Sequence, residues 1–311
     1  MNEVSRRFRA MNTDVVAVVV APDRPESATA ALREVEALFV QVEATLSRFR
    51  PESELSQMNR RAGEPFHASP LLFAVVAAAL EVARATKGVF DPTILGALVA
   101  AGYDRSFENV PPELDDPVLP PIGPRPRWRD VHLVSATRTI VLPKGAGLDL
   151  GGIGKGWTVD RAMERLGIFA GFGIDAGGDL SCRGTRADGR PWTVGIQDPR
   201  QPDRDLAVLA VREGAVATST VARRHWYRAG EAQHHLIDPR TGRPGRTDVR
   251  SATVLAGAAV RAETLAKVAL LLGSREGSRF LDDQTDAAGL LALGDGRVVR
   301  SARFPEIQHE R

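Results

Sequence analysis

Beyond residue 139 the chain is dominated by short strand-like runs: IVLP, FGIDAGG, WTVGI, LAVLAVR, HHLID and SATVLAG. Helical spacing breaks in at two places, from Lys155 to Gly167 and from about Val260 to Gly273. Strands and helices are thus mixed without strict alternation, which favours α+β over a doubly wound parallel sheet. The expected class is α+β, with mixed, largely antiparallel sheets and packed helices.

The amino-terminal part fits the same class. TDVVAVVVA at residues 13–21 reads as a buried strand. Leu32, Val35, Leu38, Phe39, Val42 and Leu46 then recur at helical spacing and form one apolar face. A further helix is marked at both ends, by Ser69 as N-cap with Pro70 in the first turn and by Gly88 just past the end. RFRPESELSQMNR, between these helices, reads as a polar loop. Residues 108–130 hold seven prolines and read as a surface excursion or linker. LLALGDGRVVRS reads as a hairpin turning at Asp295-Gly296. No internal repeat is visible.

Composition narrows the function classes. A chain of 311 residues, 43% hydrophobic and 26% charged, suits one large domain or two intimately joined ones. Its 41 basic and 39 acidic residues leave a net charge of +2, which does not argue for nucleic acid. Cys182 is the only cysteine, so an internal disulfide and a cysteine metal cage are both excluded; it reads as a small buried hydrophobe. The opening MNEVSRRFRAMNTDVVAVVV lacks the features of a signal peptide. The longest uncharged apolar run, Leu71 to Leu80, falls short of a membrane span. The expectation is a soluble, cytoplasmic protein.

Several motifs bear chemistry, each with a plainer alternative. LDLGGIGKGWTVD at residues 148–160 places glycines before a helix, where exposed N–H groups and the helix dipole favour anions, and Lys155 adds a compact charge suited to phosphate. The alternative is a tight glycine turn with a capping lysine. In HHLIDPRTGRPG, residues 234–245, His235 and Asp238 read as a base with its orienting carboxylate, as a cation-binding edge, or as an ordinary turn. In GVFDPTILGAL, Asp91 or Thr93 either caps the next short helix or presents an acid and a hydroxyl to a polar ligand. Glu263 and Lys267 stand four apart on a helix with apolar flanks, either as an exposed ion pair or on a ligand-lined face. In DAGGDLSCRG, Gly177 and Gly178 suggest a bulge or a close backbone approach. ATSTVARRHW offers Thr218, Ser219 and Arg224 to a phosphate, or is a polar loop leading into a strand.

Taken in order, these motifs resemble the FAD:protein FMN transferase family, also called the ApbE family. The resemblance spans about residues 8–275 and is carried by Met11-Asn12-Thr13, LSRFRPESELSQMN, FDPT, LDLGGIGKGWTVD, DAGGD, VGIQDP, VATS, HHLIDPRTGRP and AETLAKVALLLG. It implies a T-fold-related single domain over residues 8–300, with an FAD cleft between two lobes and the Pro-rich excursion within it. It further implies an enzyme that cleaves FAD and transfers FMN through a phosphoester to a threonine hydroxyl of an acceptor protein, releasing AMP with the help of Mg²⁺. Relatives that hydrolyse FAD to FMN and AMP make a pyrophosphatase the first alternative, and a non-catalytic FAD-binding protein the second.

Matched to this pattern, Met11 and Phe49 would lie against the flavin or adenine, and Asp91, Pro92 and Thr93 would line the FAD site. Asp149, Lys155 and Ser219 would contact FAD, with Leu236 and Ile237 bordering the nucleotide. His235, Asp238 and Lys155 would form the catalytic group. The backbone carbonyl of Gly152 and the side chain of Glu263 would meet the metal. Three departures stand out. Asn12 replaces a glycine, Thr220 stands where a glycine commonly follows the serine, and Lys267 occupies the position of the usual threonine ligand. An ammonium has donors only. Either Lys267 replaces one cation, or the metal binds through Glu263, Gly152 and phosphate oxygens. The first reading is preferred.

Overall fold

The computed structural model describes residues 3–115 and 127–305. Residues 116–126, with five of the seven prolines of the 108–130 segment, lie outside the described residues. The described flanks of that segment hold a 3-10 turn at Phe107–Asn109, a two-residue strand at Glu113–Leu114 and a second 3-10 turn at Trp128–Asp130. The chain divides into two compact units.

The first unit comprises Met1–Gln41, Lys155–Thr220 and Thr247–Arg311. Among the described residues it holds an eight-stranded sheet that follows chain order: Glu3–Ala10, Thr13–Val20, Gly171–Ala176, Asp179–Arg183, Glu213–Thr220, Val249–Ala256, Ala287–Leu293 and Val298–Arg300. Every neighbouring pair is antiparallel. The strand Thr13–Val20 buries Val15, Ala17 and Val19 on one face, as its alternation demands. Ala287–Leu293 is buried at every position, so both of its faces are covered.

Helix α1, Pro25–Leu46, begins in this unit and carries the expected apolar face of Leu32, Val35, Leu38 and Phe39. Two further helices complete the unit among the described residues. Helix α5 is Gly154–Leu166, entered at Lys155, and helix α6, Ala259–Asp282, lies against the strands Glu213–Thr220 and Val249–Ala256. A hairpin of Trp192–Gln197 and Asp205–Val211 closes over a small core that includes Cys182, Ile196, Leu209 and Val216.

The second unit comprises Val42–Gly154 and Val221–Arg246. It holds helices α2 (Glu54–Arg60), α3 (Pro70–Ala85) and α4 (Leu95–Ala100) with three small sheets among the described residues. Trp226, Tyr103, Leu98 and Ile237 form its aromatic core. The buried Trp226 donates its indole N–H to the Ala101 carbonyl at 2.9 Å, and Arg228 reaches the Ala100 carbonyl at 2.6 Å. The polar groups of this core are therefore satisfied by the end of α4.

Three elements differ from the sequence reading. The stretch expected as a polar loop contains α2: Ser53 accepts from the Ser56 N–H as N-cap, and Leu55 and Met58 are buried. Two apolar positions in seven residues are too few to display a period. Helix α6 does not end at Gly273 but breaks there (φ 81, ψ 173) and resumes to Asp282. Asp248 restarts it by accepting from the Ser274 N–H at 2.9 Å. HHLID resolves into the ends of two short strands, Glu231–His234 and Ile237–Asp238, with His235 and Leu236 between them. No helix among the described residues is long and apolar enough to cross a membrane.

Candidate functional site

The glycine-rich motif becomes a turn followed by the first residues of α5. The N–H groups of Ile153 and Gly154 both bond the Leu150 carbonyl, at 3.2 and 2.8 Å, and Gly152 is buried in this turn. Lys155 follows at once. Its ammonium bridges two carboxylates, Asp179 and Glu263, the latter at 3.1 Å. Both acids are nearly inaccessible, at 3% and 5% exposure. Asp179 begins the strand after the Gly177-Gly178 turn, whose two positive φ angles of 67° and 96° glycine adopts without penalty. A Cβ on Gly177 would fall 1.9 Å from the Thr13 hydroxyl, so the expected close approach is met by that side chain.

Glu263 is also held by the main chain. Its second oxygen accepts from the Gly156 N–H at 2.9 Å, one of the donors that a helix start leaves without an intrahelical partner. The favour is returned by Asp160, which accepts from the Ala259 and Val260 N–H groups at 2.7 and 3.0 Å. Ala258, the N-cap of α6, supplies no side-chain bond of its own. Helices α5 and α6 therefore cap one another with acids, each placed at the positive end of the other's dipole. Burial raises the Asp160 carboxyl above the ordinary range, against the two N–H bonds that favour its ionised form. Gly156 makes the approach possible, since a Cβ there would lie 2.7 Å from Val260 Cα and 2.8 Å from the Ala259 carbonyl.

The Met11-Asn12 pair forms the turn between the first two strands, where Ala10 pairs with Thr13. Both residues have positive φ, 53° and 57°, which explains why asparagine stands in for glycine at position 12. Met11 Sδ lies 3.7 Å from the Thr158 hydroxyl of α5. Thr218 and Thr220 use their hydroxyls within the sheet, toward Thr253 at 2.8 Å and the Arg250 carbonyl at 3.0 Å. Ser219, between them, faces the other side of the strand and is half-buried. Lys267 is half-buried one turn beyond Glu263 on α6. The Glu263 oxygens go to Lys155 and Gly156.

In the second unit Asp149 pairs with Arg48 at 2.7 Å, with side-chain exposures of only 15% and 6%. The Arg48 guanidinium stacks on Phe49 and Tyr103, 4.1 and 4.6 Å from their ring centres, and donates to the Tyr103 carbonyl at 2.7 Å. Arg48 is absent from the residues singled out by motif; its place beside Phe49 was the only signal. Asp149 also donates its N–H to the Pro92 carbonyl at 2.8 Å, which joins the FDPT segment to the glycine motif. Asp91 does not cap α4: it accepts from the Thr93 N–H at 2.8 Å and hydroxyl at 2.6 Å and from the Trp128 N–H at 3.4 Å, while Ile94, the N-cap of α4, supplies no side-chain bond. Burial raises the Asp91 carboxyl despite these bonds.

The histidine segment separates two neighbours by role. His234 is tied to the backbone at both ring nitrogens, to the Gly245 carbonyl at 2.9 Å and the Leu236 N–H at 3.2 Å, which fixes the segment. His235 follows it, half-buried. Asp238 is bound to Arg240. It gives both oxygens to Arg240, at 2.9 Å to the terminal nitrogen, and accepts from the Arg240 N–H. A two-residue turn geometry brings these groups together more easily than a strand does. The Leu236 and Ile237 side chains are both 2% exposed and belong to the interior.

The donor set does not fit a magnesium ion at the position the sequence suggests. Asp179 and Glu263 are bridged by an ammonium, Glu263 is engaged at both oxygens, and Lys267 offers no lone pair. Among the described residues no three His, Cys, Asp or Glu side chains stand together to hold a metal.

Comparison with known proteins places this geometry. The sequence model of the ApbE family matches residues 11–291. An FAD:protein FMN transferase from Treponema pallidum is 34% identical, over 88% of this chain and 80% of its own. This chain belongs to the ApbE family. An FAD:protein FMN transferase from Vibrio cholerae is 31% identical over 78% of this chain and 74% of its own. The crystal structure of the ApbE protein from Thermotoga maritima matches with a TM-score of 0.85 at 25% identity, covering 96% of this chain and 97% of that one. The flavin transferase ApbE from Vibrio cholerae shares the fold with a TM-score of 0.80 at 23% identity, over the same fractions.

Proposed function

We propose that this chain is a flavin transferase. It cleaves the diphosphate of FAD and joins FMN to a threonine hydroxyl of an acceptor protein. The threonine oxygen attacks the phosphorus of the FMN half, the bond to the AMP phosphate breaks, and AMP leaves with the electron pair. The hydroxyl proton passes to His235. Phosphoryl transfer of this kind asks the protein mainly for positioning and for charge opposite the phosphates.

The observation that carries the reading is Lys155, held at the glycine-flanked start of α5 by two buried acids. Two anchors fix its ammonium while leaving a third donor for a phosphate oxygen. The names of the Treponema and Vibrio relatives support the same reaction. In this reading Met11, Phe49, Asp149 and Ser219 contact FAD, with Thr93 and the Asp91-Pro92 main chain beside it. Arg48 positions Asp149 and backs Phe49. Leu236 and Ile237 contribute only through their main chain, because their side chains are interior. Asp238 shapes the turn that presents His235.

The test incubates the protein with FAD, with and without a domain carrying an acceptor threonine, and follows AMP by chromatography and FMN on the acceptor by mass. AMP that appears only with acceptor supports transfer; AMP without acceptor assigns water as the nucleophile. His235→Ala should lower transfer by about 10²–10⁴-fold, the usual contribution of a general base, with an unchanged circular dichroism spectrum. Full transfer by that variant would remove His235 from the mechanism.

A further inference from the structure

We infer that Asn59 is a positioning residue for FAD: its side-chain amide holds the main chain just ahead of Asp149 and so sets where the Asp149 carboxylate meets the ligand. The inference rests on the flavin-transfer reading, in which Asp149 contacts FAD. It gives a task to the SELSQMN stretch, which that reading leaves without one.

Asp149 stands in residues 146–150, which belong to no helix or strand. The backbone groups there need partners other than a ladder. Asn59, in the last turn of α2, supplies two of them. Its Nδ2 donates to the Leu148 carbonyl at 2.9 Å, and its Oδ1 accepts from the Leu148 N–H at 2.8 Å. The Asp149 N–H goes to the Pro92 carbonyl at 2.8 Å. The peptide group that joins Leu148 to Asp149 is therefore held at its oxygen and at its N–H. Such a group is planar, so the two bonds set the plane from which the Asp149 side chain departs. The carboxylate at the end of that side chain then meets Arg48 at 2.7 Å and the Gly151 N–H at 3.0 Å.

The chemistry of the clamp asks for asparagine. One short arm must offer a donor and an acceptor to the same residue, and an aspartate would bring acceptors alone and set a carboxylate against the Leu148 carbonyl. Leu148 is 0% exposed, so water has no access to the two groups that Asn59 serves. Helix α2 is itself anchored, by the Ser53 side chain accepting from the Ser56 N–H at 3.0 Å and by buried Leu55 and Met58. Loss of the Asn59 amide would free the main chain at Leu148 while leaving the packed face of α2 in place.

The experiment reads ligand binding and main-chain protection separately. FAD affinity is measured calorimetrically for the wild type, Asn59→Ala, Asp149→Ala and the double variant. Each single variant should weaken FAD by about tenfold or more, and the double variant should bind within about twofold of the weaker single one, because residues that act as one unit do not add. Asn59→Asp keeps an acceptor for the Leu148 N–H and loses the donor; it should weaken FAD as well, and it takes the place of Asn59→Ala if that variant does not fold. Ser53→Ala removes the N-cap of the same helix, so it should melt lower yet bind FAD within about twofold of the wild type. In the protein without FAD, amide exchange at Leu148 and Asp149 should speed up by at least about tenfold in Asn59→Ala. Unchanged FAD affinity in either single variant, additive losses in the double variant, an equal loss in Ser53→Ala or unchanged exchange would overturn the inference. A wild type that binds no FAD would instead defeat the flavin-transfer reading, and the exchange rates would still decide whether Asn59 holds the main chain at Asp149.

Discussion

Lys155 and Asp160 lie in one motif, five positions apart on α5, yet the first bridges Asp179 and Glu263 while the second caps α6. The carboxyl of Asp160 is raised by burial, so its protonated form binds more favourably in the folded chain than in the unfolded one. A raised folded value contributes stability that is complete below the unfolded value and declines as pH rises through the folded one. The stability difference between wild type and Asp160→Asn should therefore move against the wild type as pH rises above the ordinary carboxylate value, which thermal melts across a pH series would register. A second expectation concerns Cys182, buried at 1% exposure with its thiol pushed up to about 12. It should resist iodoacetamide in the native protein and react only on unfolding, as read by mass spectrometry. The cysteine was legible from composition as a buried hydrophobe. The division of labour between Asp149 and Asp160 was not, because it depends on Arg48 and on the start of α6, about a hundred positions downstream of Asp160.

The junction of α5 and α6 is the element-scale counterpart of those contacts. Replacing Gly156 by alanine would improve intrinsic helix propensity by about 1 kcal/mol. The added Cβ would meet backbone atoms of α6 at 2.7 and 2.8 Å, and backbone cannot swing aside as a side chain can. Overpacking of this kind costs about 1–3 kcal/mol, so Gly156→Ala should lower the denaturation midpoint, measurable by urea unfolding. Elements with a complete signal were legible in the sequence: α3 has Ser69, Pro70 and Gly88 at its ends, and the Asp295-Gly296 hairpin has its turn pair. Helix α2 carried too few apolar positions, and the break in α6 hid a continuation whose restart is supplied by Asp248, distant in sequence. Pattern reveals elements that specify themselves and misses those completed by a remote partner.

At the scale of the whole molecule, the α+β class follows from the unalternating strands, and the family follows from motif order. The partition of the chain into two units was less legible, because each is assembled from separated segments. A chain ending at Arg246 would lose α6 and the strands Val249–Ala256, Ala287–Leu293 and Val298–Arg300. Its first unit should fail to fold, since the first five strands would keep neither their central neighbour nor the helix that lies against them, and limited proteolysis should degrade that unit while sparing segments of Val42–Gly154 and Val221–Arg246. The order of the sheet carries a consequence for the nascent chain. Its strands are laid side by side in the sequence in which the ribosome makes them, but the hairpin of Glu3–Ala10 and Thr13–Val20 emerges long before Gly171–Ala176, its next neighbour, is translated. For that interval a valine-rich margin waits without its partner, so the time of greatest exposure to wrong pairing is built into synthesis itself, and this hairpin is a natural target for holdase chaperones.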